Sequence, residues 1–137
     1  MTTEDLWGEI PLGDKQQTPL TILKEQADLL TKKTGGEIEG VVFAASENNK
    51  FSGKMRLKVP KLGKFFIDVI FIRYSIGLYP VYITPSIFDS DYEVPVDNID
   101  EFKTKLRDIF QSEELTTLIR KVRTQIVSME GDFFQEI

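Results

Sequence analysis

Residues 51–85 read FSGKMRLKVPKLGKFFIDVIFIRYSIGLYPVYITP, three consecutive strands that the rest of the chain must cover. Phe51 to Val59 alternates, with Phe51, Gly53, Met55, Leu57 and Val59 on one face and Ser52, Lys54, Arg56 and Lys58 on the other. That is the two-residue period of a half-buried strand. Pro60, Leu62 and Gly63 break the pattern, and Phe65 to Tyr74 returns as a strand that is apolar on both faces. Phe65, Ile67, Val69 and Phe71 point one way, Phe66, Ile70, Ile72 and Tyr74 the other, with Asp68 the exception. A strand of this kind belongs inside a sheet, at least partly covered on both sides. After a tight turn near Ser75–Gly77, Leu78 to Thr84 makes a fourth strand. Pro80 within it predicts the sheet edge, where a missing N–H breaks no ladder bond.

Upstream, Glu37 to Ser46 reads as the first strand and Glu47-Asn-Asn-Lys50 as its turn into the second. Centring the hairpin on the turn pairs Val42 with Met55 and Ala44 with Gly53, and sets Glu39 across from Lys58, an opposite-charge pair. The same logic sets Leu57 opposite Ile67, Met55 opposite Val69, Gly53 opposite Phe71 and Arg56 opposite Asp68. A phenyl ring over a strand glycine is a known rescue of that weak position. The expected core face is Met55, Leu57, Ile67, Val69, Phe71, Val81 and Ile83.

Thr18-Pro19 is a helix start, a hydroxyl N-cap with proline at the first helical position. Leu20, Leu23, Ala27 and Leu30 follow at helical spacing and Gly35-Gly36 offers a left-handed cap, so helix one is expected from Pro19 to Thr34. Residues 85–98 read as a loop. Asn98 with Glu101 forms a capping-box pattern for a second helix carrying Ile99, Phe102, Leu106, Ile109 and Phe110. Ser112 caps a third, with Leu115, Leu118, Ile119, Val122 and Ile126 in its stripe and Gly131 as its end. The expected fold is α+β: an N-terminal helix, a four-stranded antiparallel meander in order 1-2-3-4, and two C-terminal helices, as one domain over 1–137. Residues 1–17, with Trp7, Ile10 and Leu12, read as an arm that docks on its own domain or on a partner, and 132–137 as an apolar tail.

Composition bounds the chemistry. The 137 residues include no cysteine and no histidine, and the net charge is −5. Disulfides, thiolate metal sites and the commonest general base and metal ligand are therefore absent. The charge gives no global case for nucleic acid or an anionic surface. No run approaches the ~18 apolar residues of a membrane helix and the start is acidic, so the expectation is a cytoplasmic protein with no membrane association.

Few residues point to a site. Asp89, Asp91, Glu93 and Asp100 echo a calcium loop, but Val94 stands where the sharp turn needs glycine and the closing bidentate glutamate is missing. No catalytic residue, cofactor or metal ligand is assigned. Lys50, Lys54, Arg56, Lys58, Lys61 and Lys64 form a basic run beside aromatics, a pattern that single-stranded nucleic-acid binders use. The expected interaction surface is the outer sheet face, with Phe43, Lys54, Arg56, Phe66, Ile70, Ile72 and Tyr82.

The order of elements over residues 19–128, with Tyr79-Pro80 and then Pro85 around the last strand, resembles the ubiquitin-conjugating-enzyme/RWD superfamily. In that family's enzymes the tyrosine-proline segment lies between strands three and four; here it reads as opening strand four. The family's catalytic cysteine and its histidine have no counterpart in this chain, so the resemblance implies a non-catalytic adaptor. The function expected from the sequence is a non-enzymatic protein-interaction or assembly domain, binding a protein partner or a second copy. The alternative is a nucleic-acid or small-ligand module using the basic second strand.

Overall fold

A computed structural model of the chain describes residues 3–13, 17–89 and 91–130. Its frame is a hairpin: Asn48 and Asn49 both take positive φ (51° and 65°), the conformation of a two-residue turn whose twist matches the flanking strands. It joins β1 (Glu39–Glu47) to β2 (Lys50–Lys58). The register is the expected one, with Glu39 opposite Lys58, Val42 opposite Met55 and Ala44 opposite Gly53. Three further strands follow, β3 (Phe66–Ser75), β4 (Val81–Thr84) and β5 (Val94–Val96), and the antiparallel sheet runs in the order β1-β2-β3-β4-β5.

The fifth strand corrects the four-strand reading. Val94-Pro95-Val96 pairs with Val81 to Ile83, so β4 is interior and β5 forms that edge. Pro80 lies before β4 in the connection from β3, after a cis Tyr79–Pro80 bond, and so never meets the ladder. Pro95 is the proline in the sheet, on the edge strand that tolerates one.

The larger correction lies between β2 and β3. Arg56 pairs with Asp68 and Leu57 with Ile67, as expected, but Met55 then pairs with Ile70 and Gly53 with Ile72. Val69 is the extra residue of a β-bulge, and every side chain after it changes face. Val69, Ile70 and Ile72 are all fully buried and Tyr74 nearly so, while Phe71, expected in the core, lies on the other face in register with Lys54 and Thr84.

Helix α1 (Pro19–Lys33) is capped by Thr18, whose hydroxyl accepts from the Thr21 N–H at 3.1 Å. In α2 (Ile99–Phe110) Asn98 Oδ1 accepts from the Glu101 N–H at 2.9 Å, and Glu101 Oε1 reaches back one residue past the cap to accept from the Asp97 N–H at 3.1 Å. Ser112 caps α3 (Glu113–Met129). All three helices bury their stripes in one core, with Leu23, Ala27, Phe102, Leu106, Ile109, Val122 and Ile126 against Met55, Leu57, Ile70, Ile72, Val81 and Ile83. Two glycines permit the close approach of α1. At Gly40 an added Cβ would lie 2.5 Å from the Ala27 carbonyl oxygen, and at Gly53 it would lie 2.6 Å from the Leu20 side chain. The neighbour that fills the Gly53 notch is thus Leu20 of the helix, with Ile72 across the strand, and not Phe71.

Residues 3–13 leave Leu6, Trp7, Ile10 and Leu12 in the open, Trp7 with 80% of its surface exposed. The apolar tail 132–137 and the helix end expected at Gly131 lie outside the described residues. Among the described residues, no helix is long and apolar enough to cross a membrane.

Candidate functional site

With the helices gathered on one side, the other face of the sheet is read row by row from the ladder. Glu39, Lys58 and Phe66 form the first row; Val41, Arg56 and Asp68 the second; Phe43, Lys54, Phe71 and Thr84 the third; Ala45, Ser52, Arg73, Tyr82 and Pro95 the fourth. Of the expected surface residues, Phe43, Lys54, Arg56, Phe66 and Tyr82 are on this face. Ile70 and Ile72 are not: the bulge turns them into the core, where neither has exposed surface. Phe71 and Arg73 take their places, where strict alternation along β3 would not put them.

Two arginines organise the face. Arg56 donates from Nε to Asp68 Oδ1 at 2.8 Å, and its guanidinium lies 3.8 Å from the centre of the Phe66 ring and 5.2 Å from that of Phe43. The Lys58 ammonium is 5.7 Å from the same Phe43 ring. Arg73 lies 4.3 Å from the Tyr82 ring centre and makes a two-pronged pair with Glu93, Nη2 to Oε1 at 2.8 Å. A planar guanidinium can hold a carboxylate edge-on while its face lies on a ring, so each arginine fixes one aromatic and one acid together. Phe43 and Phe66 nevertheless keep 45% and 48% of their surface exposed.

Glu93 is therefore a structural partner of Arg73. The hydrogen bond from Arg73 holds its carboxyl below the ordinary carboxylate range, and burial only partly opposes this. A lowered native pKa stabilises the fold above the unfolded-state pKa, and the stabilisation is lost as pH falls through the lowered one. The pair is a third exposed, so its worth is that of a screened surface pair, about 0.2–1 kcal/mol. Wild type is expected to melt above Glu93→Gln at neutral pH, and the gap to close as the pH falls below the ordinary carboxylate range. A gap that stays constant across that range in thermal melts would show that charge is not what the pair contributes.

The remaining acids of the calcium-like stretch do not assemble a site. Among the described residues, no group of three His, Cys, Asp or Glu side chains is placed to hold a metal ion. The basic run is also dispersed: Lys61 donates to Glu130 at 2.8 Å, beyond the sheet face. On the helical side, a groove of about 580 Å³ separates α1 from α2 and α3, walled by Ile22, Leu30, Met55, Leu106 and Phe110. Among the described residues its lining includes Glu25, Lys33, Lys103 and Arg107 and no Ser, Thr, Tyr, Cys or His, so these supply no hydroxyl or thiol nucleophile. No protein-family model matches this chain, and comparison with curated proteins and with solved structures finds no match to either.

Proposed function

We propose that the domain is a non-enzymatic protein-interaction or assembly module that binds through the outer sheet face. The observation that carries this is the bare face itself. Phe43 and Phe66 stand half exposed beside Arg56, Lys54 and Lys58, while every described helix packs on the other side. Aromatic and arginine side chains are the types enriched at protein interfaces, and pre-fixed ones lose little rotamer freedom on binding. The lysines favour a partner segment that is apolar with acidic neighbours. The absence of histidine and cysteine supports the non-enzymatic reading, and the position of Tyr79-Pro80 between β3 and β4 supports the adaptor-type architecture that the RWD resemblance implies.

The nucleic-acid alternative is weaker on this geometry. Base stacking needs an open ring face, whereas Arg56 occupies that of Phe66 and Arg73 that of Tyr82. Both arginines are also paired with acids, leaving Lys50, Lys54 and Lys58 of β2 to meet phosphates.

The test is affinity capture from the cells that make the protein, comparing wild type with a Phe43→Lys/Phe66→Lys double variant. Both substitutions are on exposed positions, so circular dichroism should be unchanged. At least a tenfold loss of the captured partner is expected; an identical captured set, or none with wild type, overturns the reading.

A further inference from the structure

The two edges of the sheet are unequal. β5 is three residues long and carries Pro95, whereas β1 is nine residues long and uncharged from Gly40 to Ser46. In an antiparallel strand, the N–H and C=O of one residue point to the same side and successive residues alternate. The Thr34 hydroxyl accepts from the Ile38 N–H at 3.1 Å and lies 3.0 Å from the Ile38 carbonyl oxygen, and Thr31 Oγ1 accepts from the Gly40 N–H at 2.9 Å. The even-numbered residues therefore face away from β2, and α1 answers the first of them with hydroxyls. The helix then crosses inward, because at its other end Leu20 covers Gly53 of β2, the partner of Ala44. Beyond Gly40 the edge is left open: residues 43–47 are exposed, and Val42, Ala44 and Ser46 present their N–H and C=O groups with no partner among the described residues.

We propose that this open edge pairs with the same edge of a second copy, antiparallel about a two-fold axis through Ala44. The three residues with both N–H and C=O unanswered, Val42, Ala44 and Ser46, are symmetric about Ala44. Val42 meets Ser46 of the second copy, Ala44 meets its equivalent, and Ser46 meets Val42, so no open rung on either chain is left over. Charge selects this register. Moving the axis to Phe43 sets Glu39 directly opposite Glu47 of the second copy, a like-charge pair. With the axis at Ala44, Glu47 instead meets Val41 of the second copy, in the row that continues to Arg56. Phe43 meets Ala45 on the outer face, so the apolar strips of the copies join. An isologous contact of this kind closes on itself, and it removes a long apolar edge that would otherwise template open-ended pairing.

The experiment uses the whole chain. Light scattering on wild type is expected to give twice the 15.7 kDa chain mass at high concentration. Ala44→Pro removes an N–H that points away from β2, so circular dichroism should be retained while the mass falls to that of one chain. Because the chain has no cysteine, Ala44→Cys gives an independent readout. Directly opposed residues in a hydrogen-bonded pair have Cα atoms ~5.5 Å apart, within disulfide reach. Mild oxidation should cross-link Ala44→Cys and leave Val41→Cys uncross-linked. A wild-type monomer at every concentration, a dimer that survives Ala44→Pro, or equal cross-linking of both cysteine variants overturns the proposal. The Phe43→Lys/Phe66→Lys variant separates the two readings through Phe66, which lies two strands from the edge: Phe66→Lys alone should leave the dimer intact while weakening partner capture.

Discussion

Ile70→Lys is expected to unfold the domain, while Phe71→Lys, one residue along, is expected to leave it folded. Ile70 has no exposed surface and faces the helices, so an ammonium there is desolvated with no acid to meet it. Such a charge costs several kcal/mol even after its pKa shifts, and the total stability of a domain is only about 5–15 kcal/mol. Phe71 shares its row with Lys54 and Thr84 on the outer face and is partly exposed. Its replacement forfeits part of a ring's burial, about 1–1.5 kcal/mol, and gives the new ammonium water to point into. An unbulged β3 predicts the reverse ranking, since strict alternation puts Phe71 inside and Ile70 outside. Circular dichroism and urea titration of the two variants decide between them; a folded Ile70→Lys with an unfolded Phe71→Lys would refute the bulge. The gentler pair Ile70→Ala and Phe71→Ala should keep the same order, with about 2–5 kcal/mol lost at Ile70.

The bulge was written in the sequence, in a place that alternation alone does not examine. Asp68 and Arg73 are the charged residues of β3, and they are five apart. In a regular strand residues of opposite parity face opposite sides, so one of the two would have to enter the core. Both reach the outer face only if an odd residue is inserted between them, and Val69 is that residue. The apolar residues give no such signal, because both sets are equally hydrophobic and either could face the helices. The hairpin register, the helix caps at Thr18, Asn98 and Ser112, and the Arg56–Asp68 pair were legible because each rests on local chemistry: a turn, a cap, or a cross-strand charge. β5 was illegible for the opposite reason. Three residues centred on proline carry no period, and Val94 to Val96 becomes a strand because Val81 to Ile83 present a free edge to pair with. As for the candidate surface, the part on β1 and β2 followed from the hairpin register, whereas the part beyond the bulge had to be exchanged: Ile70 and Ile72 for Phe71 and Arg73.

Gly40→Val is expected to be the most damaging change that adds only methyl groups. Gly40 is where the backbones of α1 and β1 come closest. A Cβ there would stand 2.5 Å from the Ala27 carbonyl oxygen and 2.8 Å from its Cα, and a backbone cannot swing aside as a side-chain tip can. The helix must move, and its movement has two further costs. The Gly40 N–H loses Thr31 Oγ1 at 2.9 Å, and Leu23 and Ala27, both buried, lift from the sheet. Overpacking costs about 1–3 kcal/mol where the surroundings can adjust; with a lost hydrogen bond of about 1 kcal/mol and partial loss of burial, a total of roughly 4 kcal/mol or more is expected. Gly40→Ala should fall between this and wild type. Gly77 supplies the control: a Cβ there meets nothing within 4 Å, so Gly77→Ala should stay within about 0.5 kcal/mol of wild type. Urea titrations of the three variants give the ordering. A Gly40→Val protein as stable as Gly77→Ala would mean that α1 does not rest on β1 at this point. The hydroxyl contacts that close the start of the β1 edge, and that leave Val42, Ala44 and Ser46 as its open part, would then fall with it.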